Sequence, residues 1–192
     1  GSTPGITTGG AGITIQAGGA IAVNAALNAG AGSVTLTAGG AISDTASITS
    51  ASLTTTSAGG TVLDFGHAVS GFTATNSTSN IVHLVNTAAT LTVSSITQNA
   101  GANVTVSNTG NLSTSGTVSA AANGVISLTA SGGLLTLGGN VTAAGTGSVT
   151  LSGTGVTNNA TVTGRNGVTV TAGTGSFTNS AGASLTRGGS AA

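Results

Sequence analysis

This chain carries very little charge. Its 192 residues include two Lys or Arg and two Asp or Glu, so that 2% of positions are charged and the net charge is zero, whereas globular domains usually carry about 25%. Such a chain has no basic surface that could neutralise phosphates or anionic lipid headgroups. No apolar run approaches the roughly 20 residues that span a bilayer. We therefore expect no nucleic acid among its partners and no membrane insertion.

Several residue types that normally stabilise or equip a small protein are also absent. The chain has no Cys, Trp, Tyr or Met, a single Pro and three Phe. Disulfides and thiolate metal sites are thereby excluded. Apolar residues nevertheless reach 38%, which is too high for a segment disordered by low hydrophobicity. The interior is expected to be narrow and aliphatic.

A short phrase recurs through the chain: an apolar residue, Thr or Ser, a second apolar residue, and Thr or Ser, followed by a glycine corner. Its copies begin 19 to 29 residues apart, and they are Ile13–Gln16, Val34–Thr37, Leu53–Thr56, a degenerate Val82–Val85, Val104–Ser107, Ile126–Thr129, Val149–Ser152 and Val168–Thr171. Repetition at this period, in units too small to bury their own apolar side, is typical of a stacked solenoid.

Two further apolar positions follow in most units, about eight and fourteen residues after the first, so each turn is expected to hold three short strands. Alternation within a strand sends Val34 and Leu36 inward and Thr35 and Thr37 outward. No helical periodicity persists. The sequence therefore predicts an all-β fold, a parallel β-helix or β-solenoid of about eight turns, forming one segment over residues 1–192.

The longest unit is expected to hold the largest departure from regularity, a loop excursion at about residues 56–80 that contains Asp64 and His67. Long insertions at a solenoid corner are well tolerated, and they are also where repeat proteins place recognition loops. Insertion drift and a recognition loop at residues 63–73 are both open interpretations.

The phrases at residues 32–42 and 147–152 resemble the shaft repeats of filamentous-haemagglutinin-type exoproteins and related autotransporter passengers of Gram-negative bacteria. The resemblance implies a right-handed coil, export to the cell surface or the medium, and a role in adhesion, aggregation or biofilm. The Asn-Pro-Asn-Gly type motifs of the family's secretion domain have no counterpart, because the only proline is Pro4. The chain is accordingly expected to be part of the non-enzymatic shaft.

Neither terminal unit has the atypical polar sequence of a cap, which predicts either a piece of a longer fibre or a subunit that stacks on itself. The expected partners are other copies of the chain, associated end to end or laterally. A glycan or protein on a host or neighbouring cell is a further possibility.

An enzyme acting on polysaccharides is the second alternative to the shaft. Some parallel β-helices act on polysaccharides with clustered carboxylates, and Asp44 and Asp64 occupy matching offsets in successive units. A pair of carboxyl groups flanking a glycosidic bond is the usual requirement for its hydrolysis. No third acid accompanies the pair, and the nearest base is His67. His67, His83 and Asp64 lack the short spacing of metal ligands, so no cofactor or metal is expected.

A surface-binding module is the first alternative to the shaft, based on outward hydroxyls. If the units stack in register, the Thr-rich copies form two columns of hydroxyl groups, interrupted by His83. Such columns are similar to the regular Thr ladders of ice-binding solenoids. A glycan could also contact them. The candidate ladder comprises Thr35, Thr37, Thr54, Thr56, Thr105, Thr150, Thr169 and Thr171. The simpler interpretation is that Thr and Ser favour strands and keep an uncharged rod hydrated.

Overall fold

The computed structural model describes residues 5–188, and these form one parallel β-solenoid of about nine coils. All regular structure in this range is β-strand, which confirms the all-β prediction. The strands are β1 Ile6–Thr7, β2 Ile13–Ala17, β3 Ile21–Val23, β4 Leu27–Asn28, β5 Ser33–Ala38, β6 Ile42–Asp44, β7 Ile48–Ser57, β8 Thr61–Asn76, β9 Val82–Asn86, β10 Thr90–Gln98, β11 Val104–Asn108, β12 Asn111–Thr114, β13 Val118–Ala120, β14 Ile126–Ala130, β15 Leu134–Leu137, β16 Val141–Ala143, β17 Val149–Gly153, β18 Gly155–Asn158, β19 Thr161–Gly164, β20 Val168–Ala172, β21 Phe177–Asn179 and β22 Ser184–Thr186.

Each coil has three walls, and every wall is a parallel ladder running along the rod. Face 1 comprises residues 13–17, 33–38, 52–57, 71–76, 95–98, 118–120, 141–143, 161–164 and 184–186. Face 2 comprises residues 21–23, 42–44, 61–63, 82–86, 104–108, 126–130, 149–153 and 168–172. Face 3 comprises residues 6–7, 27–28, 48–50, 67–70, 90–93, 111–114, 134–137, 155–158 and 177–179.

The interior consists of apolar columns, as the alternation predicts. One column on face 2 stacks Ile21, Ile42, Thr61, Val82, Val104, Ile126, Val149 and Val168. Val34, Leu36 and Val149 are fully buried, and Val168 in the last coil is partly buried. Burying a Leu, Ile or Val side chain contributes about 1.5–3 kcal/mol, so repetition of these columns supplies the stability that disulfides provide elsewhere.

The long unit is not an insertion. Residues 61–76 form a single strand, β8, instead of the loop expected at 56–80. Leu53 stacks on Val34 in face 1, but Val82 stacks on Thr61 in face 2. The recurring phrase therefore changes from face 1 to face 2 in the middle of the chain. The eight residues from Leu53 to Thr61 and the 21 from Thr61 to Val82 account for the 29-residue gap.

Close coil-to-coil approach at the corners requires glycine. A Cβ on Gly139 would lie 2.0 Å from the carbonyl oxygen of Gly116 in the preceding coil, which no real contact permits. Ala122, by contrast, has a side chain and still adopts a left-handed φ of 50°. That conformation costs an L-residue about 1–2 kcal/mol. The right-handed sense of the coil stays a prediction.

Candidate functional site

The chain's two acids and one of its histidines meet at the corner between faces 2 and 3. Asp44 ends β6, and its partner in the preceding coil is the buried Val23. Its side chain is fully shielded from solvent. The two carboxylate oxygens accept the main-chain N–H groups of Asp64, at 3.0 Å, and of Phe65, at 3.1 Å. Asp44 therefore acts as an anchor for the next coil.

The segment that Asp44 holds is a bulge in β8. Pairing with β9 shifts register between Leu63 and His67, and Gly66 adopts a φ of 82°, a conformation that glycine reaches without steric cost. The extra residues turn outward, so Asp64 is exposed and Phe65 is 57% exposed. Bulges of this kind redirect side chains while the ladder continues on both sides.

His67 lies inside the wall immediately after the bulge and is 0% exposed. Its Nδ1 accepts the main-chain N–H of Ile48 at 2.9 Å, and its Nε2 lies 3.1 Å from Oδ2 of Asp44. An acceptor Nδ1 assigns the proton of the neutral ring to Nε2, on the side of Asp44. Burial lowers the pKa of His67, and the neighbouring charges of Asp44 and, to a smaller extent, Asp64 oppose that shift.

Asp44 and Asp64 are not arranged as the enzyme alternative requires. Asp44 and Asp64 do meet in adjacent coils, as their offsets predict. Asp44, however, is sealed beneath the main chain of Asp64 with both oxygens engaged, while Asp64 points to solvent. Glycoside hydrolysis requires two accessible carboxyl groups on opposite sides of one bond. The pair instead has the geometry of a structural brace.

The structure also separates the residues of the weak metal hypothesis. His83 pairs with Val62 and Thr105 on the outside of face 2, whereas His67 is inside the wall and pairs with Asn86. Across residues 5–188, no three His, Asp or Glu side chains are grouped as ligands of one metal ion.

The predicted hydroxyl ladder is divided between two faces. Thr35 and Thr37 stack on Thr54 and Thr56 in face 1. Thr105, Thr150, Thr169 and Thr171 belong to face 2, where His83 stacks on Thr105 as the predicted interruption. The prediction that all copies of the phrase share the same two columns of hydroxyl groups is wrong, because the phrase lies on face 1 in the first coils and on face 2 from Val82 onward.

Face 1 contains a longer column that the phrase did not reveal. Its outward positions stack Gln16, Thr37, Thr56, Thr75, Thr97, Ser119, Thr142, Thr163 and Thr186. All of these side chains except that of Gln16 carry a hydroxyl, and every described coil contributes one of them. This column, the face 1 hydroxyl column, is therefore continuous along the described rod.

Buried amides form a second set of features that the phrase did not predict. Asn86 accepts the N–H of Val69 at 2.9 Å, donates to the carbonyl of Val69 at 2.9 Å, and donates to Asn108 at 2.9 Å. Asn76 and Gln98 are joined in the same way at the corner between faces 1 and 2. These side chains satisfy main-chain groups that the corners leave unpaired. Their signal in the sequence is an Asn or Gln at an inward position of a strand.

An apolar pocket of about 210 Å³ lies in the first coil. Its lining includes Ile15, Ile21, Val23 and Leu27, which also belong to the interior columns. The pocket is thus a continuation of the core and contains no ionisable side chain.

In comparisons with known proteins, no family model, no curated protein and no solved structure matches this chain. Within residues 5–188 there is no helix with the length and hydrophobicity needed to cross a bilayer.

Proposed function

We propose that this chain is a non-enzymatic structural shaft of a secreted or cell-surface bacterial fibre. The observation that carries the proposal is the unbroken stacking of its walls. Parallel ladders join successive coils on three faces, with register shifts where β8 meets β9 and β10. With strands about 4.8 Å apart, the described coils make a rod roughly 43 Å long. A rod of this kind holds whatever it carries at a distance from its point of attachment.

The uncharged exterior supports self-association as part of this role. Edge strands are normally kept apart by charged side chains, and this chain has four charged residues in total. Contacts between such rods, end to end or lateral, depend on apolar and hydroxyl groups and are therefore expected to be insensitive to salt. Location on a Gram-negative cell surface, and a role in adhesion, aggregation or biofilm, follow from the resemblance of the repeats to exoprotein shafts.

Excision of whole coils tests the shaft role. Ile126, Val149 and Val168 are equivalent positions in successive coils, so deletion of residues 126–167 removes two coils and joins matching ends. We expect this variant to fold, to shorten the rod by roughly 10 Å in small-angle X-ray scattering, and to retain adhesion and aggregation when displayed on cells.

The matched control deletes residues 126–140, which places a face 1 strand where a face 2 strand belongs. It is expected to lose folded structure in circular dichroism. If the two-coil deletion folds but abolishes adhesion, a specific site in those coils carries the function and the shaft proposal is wrong. Immunogold labelling of thin sections of the source organism tests the proposed location, and label confined to the cytoplasm would contradict it.

The face 1 hydroxyl column favours one alternative, a binding surface for ice or for a neutral glycan. Thr142→Lys would place a charge in the middle of the column, while Thr146→Lys places one at an exposed corner outside it. If the column binds, the first variant loses thermal hysteresis or retention on an insoluble polysaccharide and the second keeps it, with both still folded. Wild-type protein that neither inhibits ice growth nor is retained rules this alternative out.

A further inference from the structure

His67 joins three successive coils through one residue. Its ring accepts the N–H of Ile48 from the preceding coil and lies against Asp44 of that coil. Its carbonyl accepts two hydrogen bonds from Thr87 in the following coil, 2.7 Å from the main-chain nitrogen and 2.9 Å from Oγ1. Displacement of this ring therefore disturbs the corner on both sides.

The hydrogen bond that Nδ1 accepts from Ile48 is compatible with the neutral form of the ring only. Nε2 carries the proton of the neutral ring, so a second proton must go to Nδ1. There it would face the N–H of Ile48, leaving two donors opposed across 2.9 Å in a site sealed from water. Opposed buried donors lose their hydrogen bond and gain no solvation in return. The charged ring is thus incompatible with the closed corner.

Few other charges surround this ring. Asp44 faces it from β6, and Asp64 lies in its own strand, β8. The neighbouring strand β7 contains no titratable side chain, and the only one in β9, His83, is on the outside of the wall. Both carboxylates favour the charged ring, but burial outweighs them and lowers the pKa of His67.

We propose that His67 is an acid-sensitive latch for the corner formed by residues 44–48 and 64–67. Uptake of one proton at Nδ1 breaks the bond to Ile48 and displaces the ring from its closed position. The corner, including the Asp64-Phe65 bulge next to the ring, then opens while the remaining coils stay closed. The device is independent of the shaft role, because it follows from the corner geometry alone.

A non-titrating equivalent exists in the next coil. Asn86 is the ladder partner of His67 in the next coil. Its Oδ1 accepts the N–H of Val69, as Nδ1 of His67 accepts that of Ile48. His67→Asn therefore keeps the acceptor and removes the proton site. His83→Asn is the matched control, since the chain has only these two histidines.

The direction of the pH effect follows from the lowered pKa. The unfolded or opened state binds a proton near pH 6.5, the ordinary histidine value, while the closed corner does not. Opening therefore becomes easier as pH falls below about 6.5, by at most tenfold per pH unit, and the effect ends once pH reaches the pKa of the closed state.

Amide hydrogen exchange between pH 7.5 and 5, corrected for intrinsic exchange rates, measures this opening. In the wild-type protein and in His83→Asn, we expect the amides of Ile48, Asp64 and Phe65 to lose protection as the pH falls, while those of Leu128 and Val149 do not. In His67→Asn the acid-dependent loss should vanish. Unchanged protection in the wild type, or the same acid response in His67→Asn, would overturn the proposal.

A second measurement keeps the test decisive if His67→Asn does not fold. Nitrogen NMR of the wild-type imidazoles should show His67 as the Nε2-protonated tautomer, titrating below 6.5 in step with the loss of amide protection. Titration of His67 at or above 6.5, or a proton on Nδ1 at neutral pH, would refute the latch.

Discussion

Replacement of Asn86 by alanine should destabilise the rod more than an ordinary polar substitution does. Asn86 is 1% exposed and makes three hydrogen bonds, two of them to the main chain of Val69 and one to Asn108. Alanine leaves three buried groups without these bonds: the N–H of Val69, its carbonyl, and the amide oxygen of Asn108.

The expected magnitude follows from the number of groups that lose a partner. A buried polar group left without a hydrogen bond costs about 1–3 kcal/mol, so Asn86→Ala is expected to lose about 3 kcal/mol or more. Asn103→Ala is the matched control, because Asn103 also accepts a main-chain N–H, from Val125 at 2.9 Å, but on the exposed surface. Water can replace that acceptor, and the loss should be about 1 kcal/mol or less.

Urea unfolding followed by far-ultraviolet circular dichroism measures both variants, since the chain has no Trp or Tyr for fluorescence. Repeat proteins can open coil by coil, so exchange of the Val69 amide should be recorded as well. We expect exchange of that amide to accelerate about 100-fold or more in Asn86→Ala. If Asn86→Ala and Asn103→Ala lie within 0.5 kcal/mol of each other, roughly the spread of ordinary surface substitutions, the interior amides do not brace the corners and the reasoning is wrong.

Three other substitutions have expected outcomes in the same unfolding assay. Thr55→Val should stabilise the protein by about 1 kcal/mol, because the buried hydroxyl of Thr55 has no hydrogen-bond partner; a destabilised variant would contradict this. Gly139→Ala should lower the free energy of unfolding by at least about 2 kcal/mol, since its Cβ would collide with Gly116. Gly18→Ala is the control, because a Cβ there meets open space, and it should change stability little. Equal losses in the two variants would refute the close approach. Ala122→Gly should gain about 0.5–1 kcal/mol by relieving a left-handed φ of 50°, and a loss of stability would count against that strain.

The wall structure was predictable from short stretches of sequence. Alternation in Val34–Thr37 gives the inward and outward sides of a strand without knowledge of any neighbour, and Val34 and Leu36 are indeed fully buried. Asp44 and Asp64 could be assigned to adjacent coils because their offsets match. Thr55 shows the limit of the pattern, since this hydroxyl occupies an inward position that the other copies fill with an apolar residue.

The candidate site was less predictable, because it depends on how many residues each corner holds. Asp64 and His67 are parts of a strand that runs through the expected loop. They are three positions apart, yet the Asp64 side chain is exposed to water and the His67 ring is sealed inside the wall. Between Leu63 and His67, β8 advances four residues while β9 advances two. Alternation by itself would send Asp64 outward and His67 inward, but it would also send Phe65 inward, and the register shift of the bulge leaves Phe65 57% exposed. No local propensity encodes such a shift.

By itself, the sequence determined that this protein is a β-solenoid with an aliphatic interior and an uncharged exterior, because period-two alternation and a 20-residue recurrence are local properties. Only the tertiary structure decided which copies of the repeat stack, and hence that Thr37 and Thr142 share a column, that Thr105 lies on another face, and that His67 is buried against Asp44. The physical reason is that stacking joins residues about 20 positions apart, and their alignment is the accumulated result of every corner and bulge between them.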